Sequence, residues 1–283
     1  MDLFTVKKSL NNNVIIAEDH DHKEVVLIGK GIGFNRKKGE QLDERFVEKI
    51  FILKDKDKQE QYKSLLLQMD NEIFDAIIDA MEYIKKHTTA RLNEHIHVAL
   101  TDHLMFSIYR TMKGVSIHNP FLVETKNLYP QEFNIASKVV KIVNEAVNIH
   151  LPEDEIGFIA LHIHSAIKNK KIGEVNKHSN LIKQLVDVIE DAFNAKIDKK
   201  SIDYIRLIRH LRFAIERTHE GDELGESTKI NLTLQNEYPF CYNLSWKLIK
   251  IMQNTLKKPV GNAEAVYLTM HLQRIYSKLG SQN

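Results

Sequence analysis

The feature that most constrains this chain is an internal repeat. Tyr129-Pro130, Phe133-Asn134-Ile135-Ala136 and Lys138-Val139-Val140-Lys141-Ile142 return as Tyr238-Pro239, Tyr242-Asn243-Leu244-Ser245 and Lys247-Leu248-Ile249-Lys250-Ile251, an offset of 109 residues (Tyr129 to Tyr238). Glu155, Phe158-Ile159 and Leu161-His162 return at the same offset as Glu264, Tyr267-Leu268 and Met270-His271. Upstream, Leu100, His103-Leu104, Phe106, Ile108 and Arg110 return as Leu207, His210-Leu211, Phe213, Ile215 and Arg217, at 107 residues (His103 to His210). From about Ser64 onward the apolar residues fall three and four apart, the period of an amphipathic helix. Ile156, Ile159, Ala160, Ile163 and Ile167 make one such stripe. Pro152, which needs no amide partner in a first turn, and the acids Glu153, Asp154 and Glu155, suited to the positive helix end, mark where that helix starts. A pattern repeated at a fixed interval is one folding unit present twice. Residues 64–172 and 176–283 are therefore predicted to be two homologous all-α helical-bundle domains.

The first 53 residues follow another rule. Short apolar runs, Thr5–Leu10, Val14–Ala17, Val25–Ile28 and Val47 with Ile50–Leu53, alternate with polar turns, so a small antiparallel β module over 1–57 is predicted. Asn11-Asn12-Asn13 separates the first two runs, and Asn tolerates the positive φ that a tight hairpin asks for. Lys54–Gln61 is almost wholly charged or polar and is the expected linker. The formal net charge is only +2, and residues 1–60 carry equal numbers of basic and acidic side chains, so any nucleic-acid patch has to be local. One cysteine, Cys241, cannot form an intrachain disulfide. The start lacks a basic segment leading into an apolar one, and no uncharged apolar run approaches the ~18 residues of a membrane span. A cytoplasmic protein without membrane insertion is expected.

The 14 histidines are the chemically informative residues. Four of them, His103, His162, His210 and His271, sit at repeated positions on predicted helices, beside apolar stripes rather than at their centres. A single histidine in such a place is most often structural, but repetition at both positions points to a repeated site. Metal binding is disfavoured: His95/His97 and His162/His164 would point ~200° apart on a helix, and there is no H-E-x-x-H pattern. No metal site and no cofactor are expected. Nucleophilic catalysis lacks a Ser or Cys with His and acid in context, and Gly29-x-Gly31-x-Gly33 runs into Asn35-Arg36-Lys37-Lys38-Gly39, which is no helix start. No catalytic residue is expected. Reversible phosphorylation remains, because a neutral imidazole is a good phosphoryl acceptor near pH 7.

In the β module, Lys8, Asn11, Asn13, Lys30 and Arg36 surround one aromatic, Phe34. Single-stranded RNA is recognised by aromatics that stack on bases and amides that bond their edges, with cations on phosphates. Gly29, Gly31 and Gly33 would let backbone approach RNA closely. A DNA-binding regulator carrying the same helical domains is the alternative, but it needs a helix-turn-helix where the sequence reads as strands.

Lys8-Ser-Leu-Asn11-Asn12-Asn13-Val14, Gly29-Lys30-Gly31-Ile32-Gly33-Phe34, Thr101-Asp102-His103, Pro152-Glu-Asp-Glu-Ile-Gly-Phe-Ile-Ala-Leu-His162 and Tyr267-Leu-Thr-Met-His271 together resemble the BglG/SacY-type transcriptional antiterminators of bacterial sugar operons. Phe4-Thr5-Val6-Lys7-Lys8 and His95-Ile-His97-Val-Ala-Leu-Thr-Asp-His103 look most like the glucose-responsive branch. The resemblance implies an RNA-binding co-antiterminator domain followed by two PTS regulation domains. It implies a homodimer that binds an mRNA leader stem-loop through Lys8, Asn11, Asn13, Gly29, Lys30, Gly31, Phe34 and Arg36. It further implies phosphorylation of His103, His162, His210 and His271 by the sugar permease (EII) and the phosphocarrier HPr. The two copies differ in one respect: Asp102 precedes His103, whereas Arg209 precedes His210. Asp102 is expected to orient His103, and Arg209 could pair with a phosphate.

Overall fold

The computed structural model describes residues 3–21, 23–29, 31–47, 49–51, 64–65, 69–221 and 228–280. Lys30 and the expected linker at 54–61 lie outside the described residues.

Strands β1 (Leu3–Asn11), β2 (Val14–Glu18), β3 (Glu24–Ile28), β4 (Gln41–Asp43) and β5 (Lys49–Phe51) form an antiparallel sheet in the order β4-β1-β2-β3-β5. The central strands β2 and β3 are buried on both faces, which explains their unbroken apolar runs. Phe4, Val6, Ile15, Ala17, Val25, Leu27, Ile32 and Leu42 pack into one core. The sequence reading passed over β4, because three residues with one apolar member, Leu42, carry no periodicity; pairing with Leu3–Thr5 holds it.

The hairpin between β1 and β2 uses asparagine differently from expectation. Among the described residues the positive φ values nearby fall on Gly31, Asn35 and Gly39, and not on Asn12 or Asn13. Instead the Asn13 backbone N–H donates to Asn11 Oδ1 at 2.9 Å, a side chain standing in for a turn carbonyl.

Ten helices follow whose bounds fall among the described residues: α1 (Asn71–His87), α2 (His95–Met112), α3 (Leu122–Leu128), α4 (Pro130–Val147), α5 (Glu153–Ile167), α6 (Ile172–Phe193), α7 (Ile202–Glu220), α8 (Thr228–Glu237), α9 (Pro239–Leu256) and α10 (Ala263–Gly280). Each long helix buries a stripe spaced three and four apart, as with Tyr204, Leu207, Ile208, Leu211, Ala214, Ile215 and Thr218 on α7. Ser201 starts α7 by accepting from the Tyr204 N–H at 3.2 Å, and Gly221 ends it at φ 82°, which an L side chain adopts only with strain.

The chain forms two compact units, Met1–Ile117 with Asn134–Asn169, and His118–Phe133 with Lys170–Asn283. In the first, α2 packs on α5; in the second, α7 packs on α10, and α9 on α6 and α10. The 118–133 segment is tied into the second unit at Glu124: the buried Tyr204 hydroxyl donates to Glu124 Oε1 at 2.5 Å, and Lys199 Nζ lies 3.1 Å from the same oxygen. Among the described residues no helix is long and apolar enough to cross a membrane.

Candidate functional site

The pairing of α2 with α5 brings His103 and His162 face to face. Their ring centroids are 4.9 Å apart with 37° between the planes, and Phe158 lies 5.8 Å from His103 on the other side. Beneath them is a carboxylate that its sequence context assigns to the helix end. Glu155, taken as one of three acids serving the helix end, is fully buried. His103 Nε2 lies 3.0 Å from Glu155 Oε2, the Ser107 hydroxyl donates to that oxygen at 2.7 Å, and the Arg110 guanidinium pairs with Oε1. Burial alone would raise the Glu155 carboxyl. The hydrogen bonds from His103 and Ser107 and the charges of His103 and Arg110 outweigh it and hold the group below its ordinary value. Burial, and then the charge of His103, push His162 down to about 3, so its imidazole is neutral at pH 7. The group that orients His103 is thus Glu155 and not Asp102, which is exposed.

The second repeat rebuilds this arrangement on α7 and α10. His210 and His271 stand 5.1 Å apart at 39°, with Tyr267 at 5.5 Å from His210 in the place of Phe158. His210 Nε2 is 3.1 Å from Glu264 Oε2, and Arg217 places Nε and Nη2 at 2.8 and 2.7 Å from Glu264 Oε1. Again burial would raise Glu264, and His210 and Arg217 together hold it low. His271 is lowered by burial first, then by His210, Arg206 and Arg274. The four repeated histidines are therefore brought together in two pairs. The residues missed were Glu155 and Glu264 with Arg110 and Arg217. Their signal was present: all four are identical between the copies at the same offsets as the histidines. An acid repeated just ahead of an apolar stripe, and an arginine one turn pair beyond a histidine, mark a conserved ion pair as clearly as a repeated histidine marks a site.

In the β module the hairpin turn and the loop after β3 are joined by hydrogen bonds. The Gly29 N–H donates to the Asn13 carbonyl at 3.0 Å, the Gly33 N–H to the Asn12 carbonyl at 2.8 Å, and the Gly31 N–H to Asn13 Oδ1 at 2.9 Å. Gly33 cannot be any other residue without backbone movement, since a Cβ there would stand 2.0 Å from the Asn11 carbonyl oxygen. Phe34 follows directly and is 62% exposed, unusual for a large apolar side chain with no helix or strand above it. Lys8 is exposed on β1, and Arg36 is half-buried with Glu40 at 3.6 Å. Asn11 and Asn13 have structural duties here, the second also donating from Nδ2 to Asp75 Oδ1 at 2.8 Å.

An N-terminal sheet with an exposed aromatic loop, followed by a twice-built histidine pair, defines a nucleic-acid-binding module joined to a duplicated regulatory module. The CAT RNA binding domain family matches residues 4–60, and the PRD domain family matches residues 78–166 and 183–275. The PtsGHI operon antiterminator of Bacillus subtilis is 54% identical over 98% of both chains, and the GlcA/glcB genes antiterminator of Staphylococcus carnosus is 42% identical over 96% of both. Among solved structures, GlcT CAT-PRDI is 52% identical, with a TM-score of 0.55 over 59% of this chain and 99% of that one. The chain belongs to the family of RNA-binding transcriptional antiterminators that join a CAT domain to two PRD domains.

Proposed function

We propose that this chain is a cytoplasmic homodimer that binds a stem-loop in the mRNA leader of a glucose phosphotransferase operon and keeps the overlapping terminator from forming. The relatives named for the ptsGHI operon and the glcA/glcB genes support the sugar. In this reading modules 1–57, 64–172 and 176–283 bind RNA, sense the permease and sense HPr. RNA is gripped by Lys8, Asn11, Asn13, Gly29, Lys30, Gly31, Phe34 and Arg36, with Phe34 stacking on an unpaired base. The protein is a phosphoryl acceptor and not a catalyst.

The observation that carries the regulatory half is the facing histidine pair set on a buried carboxylate, built twice from the same histidine, glutamate and arginine types. His103, His162, His210 and His271 receive phosphoryl groups, the first pair from the sugar permease to switch the protein off, the second from HPr. A phosphoryl group brings roughly −1.5 to −2 charges. On His103 that charge arrives beside Glu155. Two unit charges ~6 Å apart, across the ring, at an effective dielectric of 20 repel by about 3 kcal/mol, comparable with what separates typical bistable packings. The modified repeat must therefore repack, and exposed apolar residues near the site, such as Phe106 and Met112, offer the surface through which a partner protomer feels it.

His103→Ala is expected to give antitermination independent of the sugar, and His103→Asp to hold the protein off, in a reporter fused to the leader. A folded His103→Ala protein that no longer binds RNA would show the histidine to be structural.

A further inference from the structure

A third imidazole cluster lies in the second unit, away from both histidine pairs. Glu174 and His178 stand one turn apart on α6 and so share a face. His219 comes from the last turn of α7. One ligand-capable atom from each of the three lies within 4.8 Å of the others, and among the described residues no other three His, Cys, Asp or Glu side chains gather so closely. His219 Nε2 is 3.6 Å from Glu174 Oε1, and the two imidazoles meet edge to face with centroids 6.1 Å apart. Glu174 Oε1 is shut off from solvent and receives no hydrogen bond, although Lys170 Nζ stands 3.4 Å away. A buried carboxylate oxygen with no hydrogen bond retains lone pairs that a cation could take up.

We infer that Glu174, His178 and His219 form a binding site for a divalent transition-metal ion of the zinc type. Two imidazoles and one carboxylate suit zinc, cobalt, nickel or copper, whereas magnesium and calcium take oxygen ligands. Bonds of 2.0–2.2 Å in a tetrahedral site put ligand atoms about 3.4 Å apart, so the Glu174–His219 pair is nearly in place and His178 has little distance to close. Burial, and then Lys170, push His178 down to about 4, so it offers its lone pair at pH 7 without losing a proton first. Lys170 gives way as the ion replaces its charge on Oε1. Three protein ligands leave a coordination position free. A cleft of about 190 Å³ borders His219 and is lined also by Arg217, Gly221, Lys258 and Gly261. The bound ion would staple the start of α6 to the end of α7, fixing two helices of the second repeat.

The test uses the full chain, stripped of metal with a chelator and titrated with cobalt(II). One equivalent should bind with a visible d–d band that zinc displaces, and zinc should raise the melting temperature. His178→Ala and His219→Ala should each abolish the band and weaken binding at least about tenfold, the lower end of what even outer-shell changes cost. His97→Ala should leave both unchanged. No band, or a band that survives His219→Ala, would overturn the assignment. Because His219 is exposed, that variant decides the matter even if His178→Ala does not fold.

Discussion

The two histidine sites share a skeleton and differ in charge. In both, two rings about 5 Å apart rest on a buried glutamate that an arginine neutralises. In the first repeat the surroundings are closed and uncharged or acidic: Ser107 completes the carboxylate's hydrogen bonds, the side chain of Arg110 is only 7% exposed, and Ala99, Asp102 and Ser165 hold the flanking positions. In the second, Ala214 replaces Ser107, Arg217 is 25% exposed, and Arg206, Arg209 and Arg274 stand where those three residues stood. Duplication has kept what orients the imidazoles, and has changed what a newly arrived negative group would meet. A phosphate on the first site faces repulsion; on the second it faces arginines that can bind it.

Removing the glutamates tests the shared skeleton most severely. Glu155→Ala strands Arg110 without a counter-charge in the interior, and breaking a buried pair in this way costs about 3–5 kcal/mol. Glu264→Ala should cost less, because Arg217 reaches water; equal losses in denaturant unfolding of the two variants would break the comparison. The next effect is a pH response. His162 at about 3 lies below the ~6.5 of an unfolded histidine, so the unfolded chain takes up the proton first and stability is lost as pH falls below 6.5, by about 2 kcal/mol at pH 5. Glu155 and Glu264, held low, add stability above their ordinary range that disappears only in stronger acid. His162→Gln should flatten unfolding stability between pH 6.5 and 5, and a slope unchanged by it would assign the loss elsewhere. Smaller again, Ser107→Ala should destabilise by about 1 kcal/mol, one hydrogen bond, while Ala214→Ser should gain no more than that. The finest test exchanges flanking charge. Asp102→Arg should increase the phosphohistidine retained on the first repeat by a few fold, the effect of an exposed pair worth about 0.2–1 kcal/mol, and high salt should erase the gain.

Much of this was legible in the chain. The repeat located both helix pairs and all four facing histidines, and the short apolar runs located β1, β2, β3 and part of β5. What escaped shares one physical cause: its meaning depends on the partner. Glu155 looked like a first-turn acid because its local context is that of one, and only α2, packing across it, turns it into a buried counter-ion. Asp102 looked like the orienting acid because it is adjacent in sequence, yet adjacent helical positions point apart. The asparagines of the first hairpin were credited with an unusual φ, when their side chains do the work. Glu174, His178 and His219 were invisible to spacing rules, since the third member is on another helix.

The contact between His103 and Glu155 also distinguishes the two ring nitrogens. An ionised carboxylate 3.0 Å from Nε2 accepts a hydrogen there, so the neutral form of the ring would carry its proton on Nε2 and its lone pair on Nδ1. Either tautomer leaves one lone pair, and this one places it on Nδ1, the ring nitrogen not bonded to the glutamate. A phosphoryl group accepted by this tautomer would bond to Nδ1, while Nε2–H stays on Glu155 and the ring keeps its anchor. The regiochemistry of any such modification would then be written into a carboxylate that never touches the incoming phosphorus.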